Sequence, residues 1–369
     1  TWLGTAVPGD TGLVYAPQYA AVFPPVNSWM LLRDFDQDGA MDVFTAGGDD
    51  PEEPAIVIYK GYFNNGVLAF TPFNRSYPGC PDCNPSFLHY QIPGNNTWHI
   101  LPFSFTSISA IDDVDSDGDL DFLGFEPEFS NYLWYFKNNS VELGYGADSL
   151  LVTLESTCWG RFMDASLGKC SRILSGSADS CATMGFAVAQ ESIKPDNLHP
   201  SFGLLTIDID GDGDKDLLNS GVGQNGCLNL LINGGANTHA WMTQQDTMFP
   251  SNDVPVDLFF YPASYALDTD MDGDEDLLVA SASSTITDDR HNVWHYERTG
   301  NSFTFHTRSF MAGQMIDVGT GAHPFFLDAN GDGLTDMAVG CEGYWNNMSP
   351  EYARISLYLN KGTIDAPEF

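Results

Sequence analysis

Short apolar runs alternate along this chain with turns rich in Gly, Asn and Asp, a punctuation that predicts β-strands rather than helices. Five pairs of runs flank one recurrent acidic loop. SWMLLRD, FTSISAIDD, FGLLTID, SYALD and HPFFLD precede it, and MDVFTAGG, LDFLGFE, KDLLNSG, EDLLVAS and TDMAVGC come after it. A third run ends each unit's core in an Asn or Gly turn: AIVIYKGYFNNG, NYLWYFKNNS, CLNLLINGG, NVWHYERTG and RISLYLNKG. A fourth is present in VLAFTPF, HAWMTQQDTMF and SFTFHTRSF, less clearly in the second unit. Successive loops start 79, 95, 60 and 60 residues apart, so the unit is about sixty residues long, with insertions at about 77–105 and 158–200. A β-type repeat of that length predicts a propeller blade or a solenoid coil, and four antiparallel strands per unit favour the blade.

The loop itself reads D-x-D/N-x-D-G-x-x-D. Its copies are Asp34, Asp36, Asp38, Gly39, Asp42; Asp113, Asp115, Asp117, Gly118, Asp121; Asp208, Asp210, Asp212, Gly213, Asp216; Asp268, Asp270, Asp272, Gly273, Asp276; and Asp328, Asn330, Asp332, Gly333, Asp336. Carboxylates at alternate positions, followed by a glycine that permits a sharp turn, let a short loop wrap oxygen ligands around a cation of Ca²⁺ size. The loop opens like an EF-hand but ends on Asp at its ninth position, with no Glu at the twelfth and no flanking helices. The expected ligands are the first, third, fifth and ninth side chains, with the seventh residue's carbonyl: Ala40, Asp119, Asp214, Asp274 and Leu334. About five structural Ca²⁺ ions are therefore expected. The fifth loop substitutes the neutral oxygen of Asn330 for a carboxylate and should hold its ion least tightly.

This pattern of strand, acidic loop, strand, Y-x-N-x-G turn and short P-x-F strand resembles the FG-GAP or VCBS repeat of integrin-α-like β-propellers. The resemblance covers essentially residues 1–369 as one domain. It implies an all-β propeller of four-stranded antiparallel blades, with calcium in a structural role, in secreted or cell-surface proteins. The chain ends at GTIDAPEF, part-way through a fourth strand, and begins at TWLG, which reads as the rest of such a strand. Five calcium-loop blades are thus recognisable, either closed into a ring by the terminal strands or forming part of a larger propeller.

Charge and cysteines point the same way. Fourteen Lys plus Arg stand against fifty Asp plus Glu, a net charge of −36 that makes nucleic acid or an anionic membrane an unsuitable partner. Loops this acidic repel themselves without metal, so folding should be coupled to Ca²⁺ at extracellular concentrations. Of seven cysteines, Cys80 and Cys83 form one C-x-x-C, Cys158, Cys170 and Cys181 lie in the second insertion, and Cys227 and Cys341 lie on or beside strands. Without a second pair to complete a zinc site, disulfides pinning long loops are favoured over free thiols, and one thiol is left over. No secretory leader or membrane span is evident, as expected of a mature or trimmed secreted chain.

Catalytic signatures are missing: there is no H-E-x-x-H, G-x-S-x-G or phosphate-binding glycine loop, and only His291 and His295 stand close together among the histidines. The sequons at Asn74, Asn95, Asn138 and Asn347 matter only in a eukaryotic secretory route. In an antiparallel blade the insertions emerge on the face opposite the acidic loops. Their aromatics Phe87, Tyr90, Trp98, Trp159 and Phe162 either anchor a protein or glycan partner or pack their own loops. The reading is a recognition or adhesion module. The alternatives are a structural domain of a larger surface assembly and a carbohydrate-active hydrolase or lyase built on a calcium propeller.

Overall fold

The computed structural model describes every residue except 1, 5–12, 27, 48–54, 104–106, 126–130, 165–169, 184–202, 221–225, 259–260, 283–287, 289, 312–315, 347–348, 351 and 365. Among the described residues the chain is all β, with no α-helix and no helix long and apolar enough to cross a membrane. A ribbon of β1 (Trp2–Gly4) and β2 (Leu13–Tyr15) precedes the first sheet, β3 (Met30–Arg33), β4 (Asp42–Gly47), β5 (Ala55–Asn64) and β6 (Val67–Pro72), paired in that order. Next come β7 (His89–Gln91), β8 (Trp98–Ile100), β9 (Ala110–Asp112), β10 (Asp121–Phe125), β11 (Leu133–Asn138) and β12 (Val152–Ser156). The third sheet is β13 (Leu204–Ile207), β14 (Asp216–Ser220), β15 (Leu228–Asn233) and β16 (Met242–Asp246), and the fourth is β17 (Pro262–Leu267), β18 (Asp276–Ser281), β19 (Val293–Thr299) and β20 (Ser302–Thr307). The last contains β21 (His323–Leu327), β22 (Asp336–Cys341) and β25 (Arg354–Tyr358), with a small ribbon of β23 (Trp345–Asn346) and β24 (Ser349–Pro350) inserted before its third strand.

Each acidic loop joins the first two strands of its sheet, as the apolar runs predict. The second strands β4, β10 and β14 are buried along their whole length. That requires apolar side chains on both faces, which is why DVFTAG, DFLGF and DLLNS read as near-continuous runs rather than alternating ones. Sheets stack in chain order through these faces. Leu31, Phe44 and Ile58, cross-strand neighbours in the first sheet, meet Ile111, Phe122 and Phe136 of the second in one core. The opposite face of the second, Ala110, Leu123 and Tyr135, packs on Leu217 and Leu231 of the third. Leu205, Leu218 and Leu230 then pack on Leu277, Val279 and Tyr296 of the fourth. The first strands β3, β9, β13 and β17 together line a cavity of about 760 Å³.

Three features depart from the sequence reading. Trp2–Gly4 does not complete the last sheet: it pairs with Leu13–Tyr15, and among the described residues β25 pairs only with β22. A partner a few residues away closes a much shorter loop than one at the far end of the chain, at a smaller entropic cost. The first insertion is not all loop, because β7 and β8 extend the second sheet to six strands in the order β8-β7-β12-β11-β10-β9, with Thr153 facing Gln91 in parallel. β12, the fourth strand least clear in the sequence, thereby gains a partner on its outer edge at Thr153. Finally, the last sheet is poorly covered. Val318, Val339 and Cys341 form a small core on one face, whereas Phe325, Ile355 and Leu357, which flank Ala338 and Gly340 of β22 on the other, are exposed.

The second insertion is fixed to the third sheet. Disulfides join Cys158 to Cys181 and Cys170 to Cys227, Cys80 pairs with Cys83, and Cys341 is a buried free thiol. Arg172, fully buried, meets Asp164 at 3.1 Å and donates to the carbonyls of Cys170 and Ser220. Residues 184–200 of this insertion lie outside the described residues.

Candidate metal centres

All five loops fold through closely similar hydrogen bonds, the first carboxylate taking the sixth residue's N–H in every copy and that of the fifth or fourth residue beside it. The first carboxylate accepts two N–H groups from the loop it opens: Asp34 from Asp38 and Gly39, Asp113 from Asp117 and Gly118, Asp208 from Gly211 and Gly213, Asp268 from Asp272 and Gly273, Asp328 from Gly331 and Gly333. The fifth residue's Oδ1 accepts the N–H of the seventh in every copy, at 2.8–3.1 Å. Between them the sixth-position glycine takes a positive φ at Gly39, Gly118, Gly213, Gly273 and Gly333, where a side chain would strain the turn. This frame aims the remaining lone pairs inward.

The ninth carboxylate has a second task that the spacing alone does not reveal. Asp42, Asp121, Asp216, Asp276 and Asp336 are all buried. One oxygen of each accepts the N–H of the loop's second residue: Phe35, Val114, Ile209, Thr269 or Ala329. The other accepts the N–H of a third-strand residue, Gly61, Asn138, Asn233 or Arg298, or of Asn360 two residues past that strand, at 2.7–2.9 Å. The ninth Asp therefore pins the loop to the sheet as well as facing its centre. Burial in this site, against the opposing pull of the N–H donors, pushes the carboxyl up to about 6 at Asp42, about 7 at Asp216 and about 8 at Asp121. Asp119 and Asp214, at the seventh position, are raised to about 7 and about 6, again chiefly by burial.

Oxygens that converge without protein partners are what a cation site requires. One ligand atom from each of Asp34, Asp36 and Asp42 lies within 4.8 Å of the others, and the same holds for Asp113, Asp115 and Asp121, for Asp208, Asp210 and Asp216, and for Asp268, Asp270 and Asp272. Among the described residues the fifth loop forms no such group, in keeping with its Asn330. Asp36 Oδ1, Asp115 Oδ1 and Asp214 Oδ1 are buried with no hydrogen bond from the protein. A hard divalent ion accepting oxygen ligands fits such a set. Two lysines also enter. Lys60 Nζ contacts Asp36 and lies 4.0 Å from Asp38, and Lys137 Nζ contacts Asp115 and Glu142 and lies 3.3 Å from Asp117. Neither lysine carries a motif, and only their register on β5 and β11 would have found them.

Residues 268–339 match the FG-GAP-like repeat family. That stretch runs from the fourth acidic loop to β22. The chain matches no curated protein. The acidic loops also bridge sheets: Gln37 donates to the carbonyl of Gly118, Asn237 to Ser116, and Asn301 to the carbonyl of Asp210. Acidic loops and Asn turns of neighbouring sheets thus share one side of the molecule.

The insertion aromatics do not form a surface. Tyr90, Trp159 and Phe162 are buried, Tyr90 edge-on to Phe136 at 4.8 Å and the other two in the core between the second and third sheets. A segment that extends a sheet or is clamped by disulfides buries its large rings, where they gain most. Phe87 and Trp98 are half-buried, and the Trp98 ring meets Tyr77 at 5.0 Å in a tilted contact while donating to the carbonyl of Pro78. His291 and His295 also separate: His291 lies exposed near Asp288, and His295 is buried 3.5 Å from Asp276. Asn138, fully buried, is unavailable for glycosylation, whereas Asn74 and Asn95 are exposed.

Proposed function

We propose that this chain is a calcium-stabilised β-propeller-type module, extracellular or at the cell surface, that recognises a protein or glycan partner. The observation that carries the metal reading is the fivefold recurrence of one hydrogen-bonded loop, in four copies of which carboxylate oxygens converge within 4.8 Å. Ions would be held by the first, third, fifth and ninth side chains of each loop, with the carbonyls of Ala40, Asp119, Asp214, Asp274 and Leu334. Their chemistry is structural: neutralising converged carboxylates that otherwise repel. Face-to-face stacking of successive sheets around one cavity supports the propeller, and three disulfides support an oxidising compartment. Recognition by the less buried insertion residues Phe87 and Trp98 accords with the general placement of binding on loops held by a rigid scaffold.

One observation favours a second reading, a structural domain of a larger assembly: the exposed Phe325, Ile355 and Leu357 form an apolar face of the kind a neighbouring sheet covers elsewhere in this chain. Calorimetric Ca²⁺ titration, thermal melts with and without chelator, a glycan array and a polysaccharide-degradation assay separate the possibilities. Saturable binding of several Ca²⁺ ions with a higher midpoint supports the module. Unchanged melting after chelation refutes the metal reading. Glycan binding without turnover supports recognition, and turnover supports a carbohydrate-active enzyme.

A further inference from the structure

The five loops are nearly identical in their acidic residues but not in what stands beside them. The N–H group that caps each ninth carboxylate, from Gly61, Asn138, Asn233, Arg298 or Asn360, defines an equivalent register in all five sheets. The residue immediately before it is Lys60 in the first, Lys137 in the second, Ile232 in the third, Glu297 in the fourth and Leu359 in the fifth. This one position therefore carries a cation, a cation, a neutral group, an anion and a neutral group.

Both lysines reach the same two ligand positions. Lys60 lies against Asp36 and near Asp38, and Lys137 lies against Asp115 and near Asp117, the third and fifth residues of their loops. In each pair the lysine takes Oδ2 of the third residue while Oδ1, buried, has no hydrogen bond. The carboxylate is thus divided, one oxygen on the ammonium and one open toward the loop centre. Among the described residues the other lysine next to a loop, Lys215, turns away to Asp112 of the neighbouring sheet at 2.7 Å.

We propose that Lys60 and Lys137 are built-in counter-cations that place the first two loops, with the Asn330 loop, among the weak calcium sites and leave the third and fourth as the tight ones. The inference rests on the calcium reading above and adds a ranking that the acidic residues alone do not give. An ammonium bound to a ligand carboxylate stands a few ångströms from the ion that carboxylate holds. A single charge that close to a divalent ion lowers affinity by roughly tenfold or more even with near-aqueous screening. Without metal the same ammonium relieves the carboxylate repulsion, so these loops are also the ones that keep their shape when calcium is low. Glu297 acts with the opposite sign on the fourth loop, and it meets His306 at 2.8 Å rather than a lysine. Glu142 offsets part of the effect of Lys137, so the first site is expected to be the weaker of the two.

The test is Ca²⁺ titration of chelator-stripped protein at fixed ionic strength, by calorimetry and in competition with a chromophoric chelator. Lys60→Met and Lys137→Met keep the aliphatic stem and remove the charge. Each is expected to move one site from the weak to the tight class, by about tenfold or more. Leu359→Lys, at an exposed position, is expected to weaken the fifth site by a similar factor. Isotherms of all three variants that superimpose on the parent's, with the same number of ions bound, overturn the counter-cation role and leave the calcium reading intact. No calcium uptake by the parent or any variant overturns both.

Discussion

Replacing Asp216 by Ala distinguishes a carboxylate that pins the loop from one that only faces the ion. Asp216 is fully buried and accepts the N–H of Ile209 at 3.0 Å and of Asn233 at 2.8 Å. Alanine leaves two buried donors without an acceptor, at roughly 1–3 kcal/mol each. Part is recovered because the carboxyl, raised to about 7 by burial, is costly to keep ionised at neutral pH. A net loss of about 2–4 kcal/mol in metal-free buffer is expected, and about 1–2 kcal/mol for Asp216→Asn, which keeps one acceptor. Asp210 is exposed and accepts only a loop N–H, from Asp212 at 3.3 Å, so Asp210→Ala should cost under about 0.5 kcal/mol without metal. With calcium present both variants should lose the third site's contribution. Urea unfolding followed by tryptophan fluorescence, in chelator and in excess Ca²⁺, reads the difference as a midpoint shift of about 1 M. If Asp210→Ala and Asp216→Ala unfold at the same urea concentration in chelator, the pinning role is wrong.

Burial sets two further expectations. Asp42, Asp119, Asp121 and Asp216 have folded-state pKa values of about 6 to 8, above the ordinary 3.8, so the folded protein binds their protons more tightly than the unfolded chain does. Metal-free stability is then greatest in acid and falls as pH rises from about 4 to about 8, while saturating Ca²⁺, which takes the ionised form, reverses the slope. Fluorimetric melts across that range check it, and a metal-free midpoint that rises with pH rejects it. Phe162→Ala and Trp159→Ala should each cost about 3–5 kcal/mol, whereas half-buried Trp98→Ala should cost about 1 kcal/mol. Equal midpoints for Trp98→Ala and Trp159→Ala would contradict the placement of Trp159 in the core between the second and third sheets.

The acidic loops and the strands around them were legible because their determinants are local. Alternate carboxylates and a glycine at positive φ specify the turn within nine residues, and apolar runs specify strands through their own periodicity. Ala40, Asp119, Asp214, Asp274 and Leu334 all sit at the turn's inner position, where the fifth residue's Oδ1 accepts their N–H groups. Everything that depended on which segments meet across the fold was decided elsewhere. Tyr90, Trp159 and Phe162 look like loop aromatics in sequence, and only the pairing of β7 with β12 and the disulfides of the second insertion bury them. The second hydrogen bond of each ninth Asp goes to a residue 17–24 positions away, a distance set by the length of the connection between the second and third strands and invisible to a motif. Lys60 and Lys137 are ordinary strand lysines until the register of β5 and β11 sets them on a loop's carboxylates. A turn is fixed by the residues it contains, but the charge beside it is fixed by strand pairing, and pairing is settled by the burial of whole sheet faces against one another.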